Sequence, residues 1–148
     1  MKANSQRVKG KNFRPLNGKP LFRWILDSLL SLEEIDQVVI NTDARDILAE
    51  NGLVESDRVV IRDRKAELCG DTVSMNLILA DDIQNVPADT YLMTHTTNPM
   101  LSSETIRTAL ASYQEGVTKG KSELSFHSQQ DPDALLPCGR QSCEPRSG

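Results

Sequence analysis

The chain has 148 residues, 38% of them hydrophobic and only 4% aromatic, which suits one domain with an aliphatic core and excludes a disordered chain. A net charge of −4 and the scarcity of rings for stacking disfavour a nucleic-acid surface, and no apolar run approaches the roughly 20 residues of a membrane span. Three cysteines, with no histidine cluster beside them, read as unpaired thiols in a reducing compartment; with no signal peptide before the basic stretch, the chain is read as cytoplasmic.

The first element is a basic loop. Of the 17 basic residues, seven fall by Arg23 (Lys2, Arg7, Lys9, Lys11, Arg14, Lys19 and Arg23), and no acid precedes Asp27. Small and polar residues between them (Ala3, Asn4, Ser5, Gly10, Asn12, Asn17, Gly18) let backbone N–H groups and ammonium heads converge on one anion, so a polyphosphate is the expected ligand. The competing reading is a solvated basic arm. An arm does not ordinarily run into Lys19-Pro20-Leu21-Phe22 and then an amphipathic helix.

That helix is expected from Pro20 to Leu32, with Leu21, Trp24, Ile25, Ser28 and Leu29 on its apolar face. Gln37 to Ile40 reads as a buried parallel strand ending in Asn41-Thr42-Asp43. Asp43 is placed to cap a helix from Ala44 to Asn51 that stops at Gly52. Arg58 to Ile61 is the next strand, followed by the loop Arg62 to Asp71. Asp71 is expected to cap a helix from Thr72 to about Ile83 with Val73, Asn76, Leu77 and Ala80 on one face. Thr90 to Thr94 is a further strand, His95 to Leu101 a turn, and Ser102 or Ser103 the cap of a helix from Glu104 to about Gln114. Strands alternating with helices imply an α/β fold with a doubly wound, mostly parallel sheet and ligands at the carboxyl ends of its strands. The turns at Asn41, Arg64 and His95 all follow strands on that edge.

Lys2, Asn4-Ser5, Lys11-Asn12, Pro15-Leu16 and Gly18-Lys19-Pro20-Leu21 together resemble the signature of the acylneuraminate cytidylyltransferases, the CMP-sialic acid synthetase group. In that family the loop runs Arg-Gly-Gly-Ser-Lys, then Lys-Asn, then Pro-Leu-x-Gly-Lys-Pro-Leu. Lys2 stands for its arginine, Ala3 and Asn4 for its two glycines, and Ser5, Lys11 and Asn12 match it directly. Thr42-Asp43 resembles the family's step after its second strand. Arg64, Leu68 and Asp71 resemble its Arg-Pro-x-x-Leu-x-x-Asp segment, with Lys65 where proline is usual, and His95 to Leu101 its Gln-Pro-Thr-Ser-Pro-Leu turn.

The resemblance implies transfer of CMP from CTP to a nine-carbon, sialic-acid-like sugar acid with release of pyrophosphate. Lys2, Asn4, Ser5, Lys11, Asn12 and Arg64 would bind the nucleotide, with Lys11 catalytic. His95, Thr97 and Asn98 would form the turn that meets sugar or nucleotide. It also implies Mg²⁺, with aspartate ligands the family carries beyond this chain, and a homodimer for the full-length protein. A 3-deoxy-manno-octulosonate cytidylyltransferase and a non-catalytic nucleotide-binding remnant are the alternatives, because a fold does not fix the sugar. For a lone arginine such as Arg64, the commoner fate is a solvated loop charge beside Asp63 or Glu67.

The resemblance covers Met1 to about Lys121, so residues 1–121 are expected to be a partial cytidylyltransferase domain. The family opens with a hydrophobic strand immediately before the residue matching Met1. From about Glu123 the text shows neither helical nor strand period, and 122–148 are expected to be a disordered tail. A one-base shift of the reading frame from His127 permits an aromatic and basic continuation reaching Asn-His-Asp, as in the family, which reads as a frameshift.

Overall fold

In the computed structural model, which describes residues 1–3 and 9–121, Asn17 and Gly18 reverse the chain between β1 (Pro15–Leu16) and β2 (Lys19–Pro20). Their φ values of 51° and 80° are those of a two-residue hairpin turn, which only Gly and Asn adopt readily. The hairpin leads directly into α1 (Leu21–Leu30), whose buried side is Phe22, Ile25, Leu26 and Leu29. The expected face is therefore turned. Ile25 and Leu29 lie inside it, but Trp24 leans outward, its indole N–H donating to the Leu16 carbonyl at 3.0 Å and Lys19 Nζ lying 4.1 Å from its ring centre. Both sets of residues satisfy the i, i+3, i+4 spacing, and the need of the indole N–H for an acceptor selects between them.

Beyond α1, β3 (Val38–Thr42) and β4 (Val59–Asp63) pair in parallel, Val38 opposite Val59 and Thr42 opposite Asp63. Each strand runs about two residues beyond its expected end. Short α2 (Arg45–Glu50) makes the crossover and Gly52, at φ 78°, ends it. Arg58, expected to open the second strand, instead donates to the carbonyls of Leu30, Leu32 and Ile35, each at 2.8 Å, satisfying the chain end of α1. Val38, Leu48, Leu53, Val59 and Ile61 join the α1 residues in the core.

Side chains alternate across a strand, and residues opposite one another in the ladder share a face. Asn41 and Arg62 are such a pair, and both bond to carboxylates of α3 (Met75–Asn85). Asp63, on the other face, is held by Arg45 of α2 at 2.8 Å. Parallel strands with helices on both faces are an α/β arrangement. Among the described residues the parallel sheet has two strands.

Two expectations fail here. Ser74, and not Asp71, caps α3, accepting the Asn76 N–H, and the helix buries Ile78 and Asp81 while Leu77 is 57% exposed. The helix turns this way because Arg62 bonds Asp81 and Asp82, an attraction outside any apolar pattern. Thr90 to Thr94 forms no strand. The Tyr91 hydroxyl receives the Ala88 N–H at 2.8 Å and donates to the Val86 carbonyl at 2.8 Å, folding the segment back on the end of α3. Strand propensity supplies a suitable side-chain pattern but no sheet edge to pair with.

The chain divides into two units, Met1–Ser103 and Glu104–Gly148. The second contains all but the first residue of α4 (Ser103–Thr118), which ends where Gly120 at φ 83° lets its N–H and that of Lys121 reach the carbonyls of Val117 and Gly116. Among the described residues no helix is long and apolar enough to cross a membrane.

Candidate functional site

The carboxyl end of β3 organises the site. Thr42 is fully buried, and its hydroxyl accepts the Ala44 N–H at 2.9 Å, the role expected of Asp43. The Asp43 carboxylate instead accepts the Ala3 N–H at 2.7 Å. The Met1 α-amino group donates to the Asn41 carbonyl. Burial and then the Arg64 guanidinium push its pKa from 8.0 down to about 5, against the opposing pull of Asp43 and Asp82. The first three residues thus lie against the strand end, two of them fixed by backbone and terminal groups rather than by side chains.

Arg64 follows β4, and its N–H donates to the Thr42 carbonyl at 2.8 Å. Its guanidinium turns to Asn41, Nε donating to Oδ1 at 2.8 Å and Nη2 to the backbone carbonyl at 3.0 Å. It is therefore not a solvated charge beside Asp63 or Glu67.

Gly10, at φ 62°, starts the 3-10 turn Lys11–Phe13. Phe13 meets Phe22 of α1 edge to face at 5.8 Å, which ties the turn to the core. Asn12 is thereby buried, 8% exposed, and both ends of its amide are used: Nδ2 donates to the Lys2 carbonyl at 3.0 Å, and Oδ1 accepts from the Thr96 hydroxyl at 2.6 Å. The start of the chain, the basic turn and the segment beyond α3 meet at this one side chain. Lys11, half-buried beside it, has no ion pair among the described residues.

Other expected residues stand differently. Lys2 pairs with Asp71 at 2.9 Å, an exposed pair of little energetic weight. Asn4 and Ser5 lie outside the described residues. His95, Thr97 and Asn98 share one turn, the Asn98 N–H donating to the His95 carbonyl at 3.2 Å, but all three are exposed and none makes a side-chain hydrogen bond among the described residues. Thr96 makes the contact to Asn12 in their place. Sequence reasoning missed Thr96 and Asp82; it placed Asn41 at a turn on the ligand edge but gave its side chain no role.

The carboxylates here do not fit a divalent cation. Among the described residues no three of Asp, Glu, His or Cys gather in a way that could hold one. Asp43 is engaged by Ala3, Asp82 by Asn41 and Arg62, and Asp81 by Lys65 and Arg62. Lys65 first, then Arg62, hold the Asp81 carboxyl below its ordinary range against the opposing effect of burial.

The family described as cytidylyltransferase matches residues 1–134. CMP-N,N'-diacetyllegionaminic acid synthase of Legionella pneumophila subsp. pneumophila is 30% identical to the chain over 141 residues, covering 92% of this chain and 57% of the relative. The chain thus spans little more than half the length of that relative.

Proposed function

This chain belongs to the cytidylyltransferase family, and we propose that it is of the sialic-acid type and binds CTP through the phosphates at the carboxyl ends of β3 and β4, in a reaction that transfers CMP to a sialic-acid-like sugar acid and releases pyrophosphate. The observation that carries this reading is Asn12. Its amide joins the Lys2 carbonyl to the Thr96 hydroxyl, which holds the backbone next to Lys11 at the meeting point of three chain segments, and Lys11 has no ion pair among the described residues. A doubly wound sheet is part of the same proposal, supported by α2 and α3 lying on opposite faces of β3 and β4.

In mechanism, the hydroxyl of the sugar acid gives its proton to solvent as its oxygen attacks the α-phosphorus of CTP, and the bond from that phosphorus to the oxygen bridging to the β-phosphate breaks. Negative charge builds on the pyrophosphate as it leaves. Fixed cations aimed at that charge lower the barrier because they need no reorganisation when it appears. Lys11 would bear on the phosphates as a point charge and Arg64 as a planar fork. Asn4 and Ser5 would supply donors, Asn12 would hold the turn in place through its committed amide, and Lys2 would leave Asp71 to join the phosphates, at small cost because that pair is exposed. His95, Thr97 and Asn98, whose side chains make no hydrogen bond among the described residues, are proposed to face sugar or base.

Because Asp43, Asp81 and Asp82 are already committed to protein partners, binding is expected to outlast transfer in these 148 residues: CTP associates while pyrophosphate release is slow. The test is calorimetric titration of CTP into the chain at two salt concentrations. Lys11→Ala should weaken binding roughly tenfold, and salt should weaken it in the unaltered chain, since exposed charge is screened over about 8 Å at physiological ionic strength. CTP binding that is unchanged by Lys11→Ala would remove this turn from the site.

A further inference from the structure

We propose that Asn41 is a positioning residue which, with Asp82 behind it, aims the Arg64 guanidinium at the nucleotide phosphates; the proposal rests on the nucleotide reading above. A guanidinium has five N–H donors in a rigid fork. Asn41 takes the Nε–H through its side chain at 2.8 Å and an Nη2–H through its backbone carbonyl at 3.0 Å. Two contacts to one residue fix the plane of the fork. The Nη1 donors make no hydrogen bond among the described residues, so the edge of the fork that carries them is the one left to an anion.

Asn41 can do this only if its amide is oriented correctly. Turned over, it would present its NH₂ to the Nε–H of Arg64 and its oxygen to the Asp82 carboxylate, opposing like groups at both ends. Asp82 prevents that by accepting the Nδ2–H at 2.8 Å. Asp82 is in turn bonded by Arg62 Nη1, and Arg62 Nη2 reaches Asp81 at 3.0 Å. Because Arg62 lies opposite Asn41 in the ladder, the relay Arg62–Asp82–Asn41–Arg64 spans both strands and α3. With Asn41 only 7% and Asp82 about 20% exposed, the relay is shielded from competing water. An arginine held in its bound posture beforehand loses less rotamer freedom on binding, which converts directly into affinity.

The experiment is a double-mutant cycle on CTP affinity, measured on the full 148-residue chain. Asn41→Ala and Arg64→Ala should each weaken binding roughly tenfold, as expected for charged hydrogen bonds, and the double variant should be no weaker than Arg64→Ala alone. Asp82→Asn should fall between the unaltered chain and Asn41→Ala. A contribution through general stability would instead multiply with Arg64→Ala. A second measurement needs neither ligand nor a folded variant: the Arg64 Nε–H resonance of the unaltered chain should exchange slowly with solvent.

Losses that multiply, or an Arg64 Nε–H in fast exchange, overturn the positioning role and leave the nucleotide reading standing. No CTP binding by the unaltered chain overturns both.

Discussion

Thr96 and Thr97 carry the same hydroxyl, yet only Thr96 donates to Asn12, at 2.6 Å. Thr96→Val keeps the shape and removes the donor, leaving the Oδ1 of an Asn12 that is 8% exposed without its partner. Such an orphaned acceptor costs about 1–3 kcal/mol, so the unfolding free energy of Thr96→Val from urea titration should fall by that amount while Thr97→Val stays within about 0.5 kcal/mol of the parent, as exposed positions do. At this scale the sequence announces chemical type but not partner. Arg64, Lys2 and Asn12 could be selected as polar residues in basic or strand-end stretches, whereas the bonds from Arg64 to Asn41 and from Lys2 to Asp71 depend on segments far apart in the chain.

For elements, α3 separates what periodicity decides from what it leaves open. A helix over this stretch was readable, but Leu77 and Ile78 are both aliphatic neighbours, and the salt links of Asp81 and Asp82 to Arg62 settle which of them faces the sheet. Ile78→Ala should therefore cost about 2–4 kcal/mol through the cavity it leaves, and Leu77→Ala about 0.5 kcal/mol or less. Ser74→Ala, which removes the cap on the Asn76 N–H, should cost about 1 kcal/mol. Denaturant midpoints that rank Leu77 above Ile78 would show the helix turned the other way. The strands β3 and β4 were legible because an uninterrupted β-branched run has few other uses. Thr90 to Thr94 is also apolar at its centre but is β-branched only at its two threonines, and Tyr91 bonds its hydroxyl to the end of α3 while the segment forms no strand.

Over the whole molecule, the buried Met1 amine makes stability depend on pH. Its folded pKa of about 5 lies below the ordinary 8.0, so between those values the unfolded chain binds more protons and stability rises with pH. Three units correspond to an upper limit of roughly 4 kcal/mol at 1.36 kcal/mol per unit. Asp81 acts at the acid end: its carboxyl is depressed from 3.8, so its contribution is complete above that value and is lost as pH falls through the lower folded one. The urea midpoint should climb from pH 5 to pH 8; a flat profile would mean that the amine leaves Asn41 rather than losing its proton there. The bond between Asn12 and Thr96 carries a kinetic consequence as well. It joins positions 84 residues apart, while Arg64 and Asn41 are 23 apart and the β3–α2–β4 crossover is more local still. Closing the longer loop carries the larger entropy cost, so the crossover can pair first and the ring through Asn12 closes on the native side of the folding barrier. Saturating CTP should then slow unfolding and leave the refolding rate unchanged, the signature of contacts absent from the transition state; a chevron whose refolding limb rises instead would mean that the ring closes early, and that the nucleotide meets a site assembled before the rest of the protein.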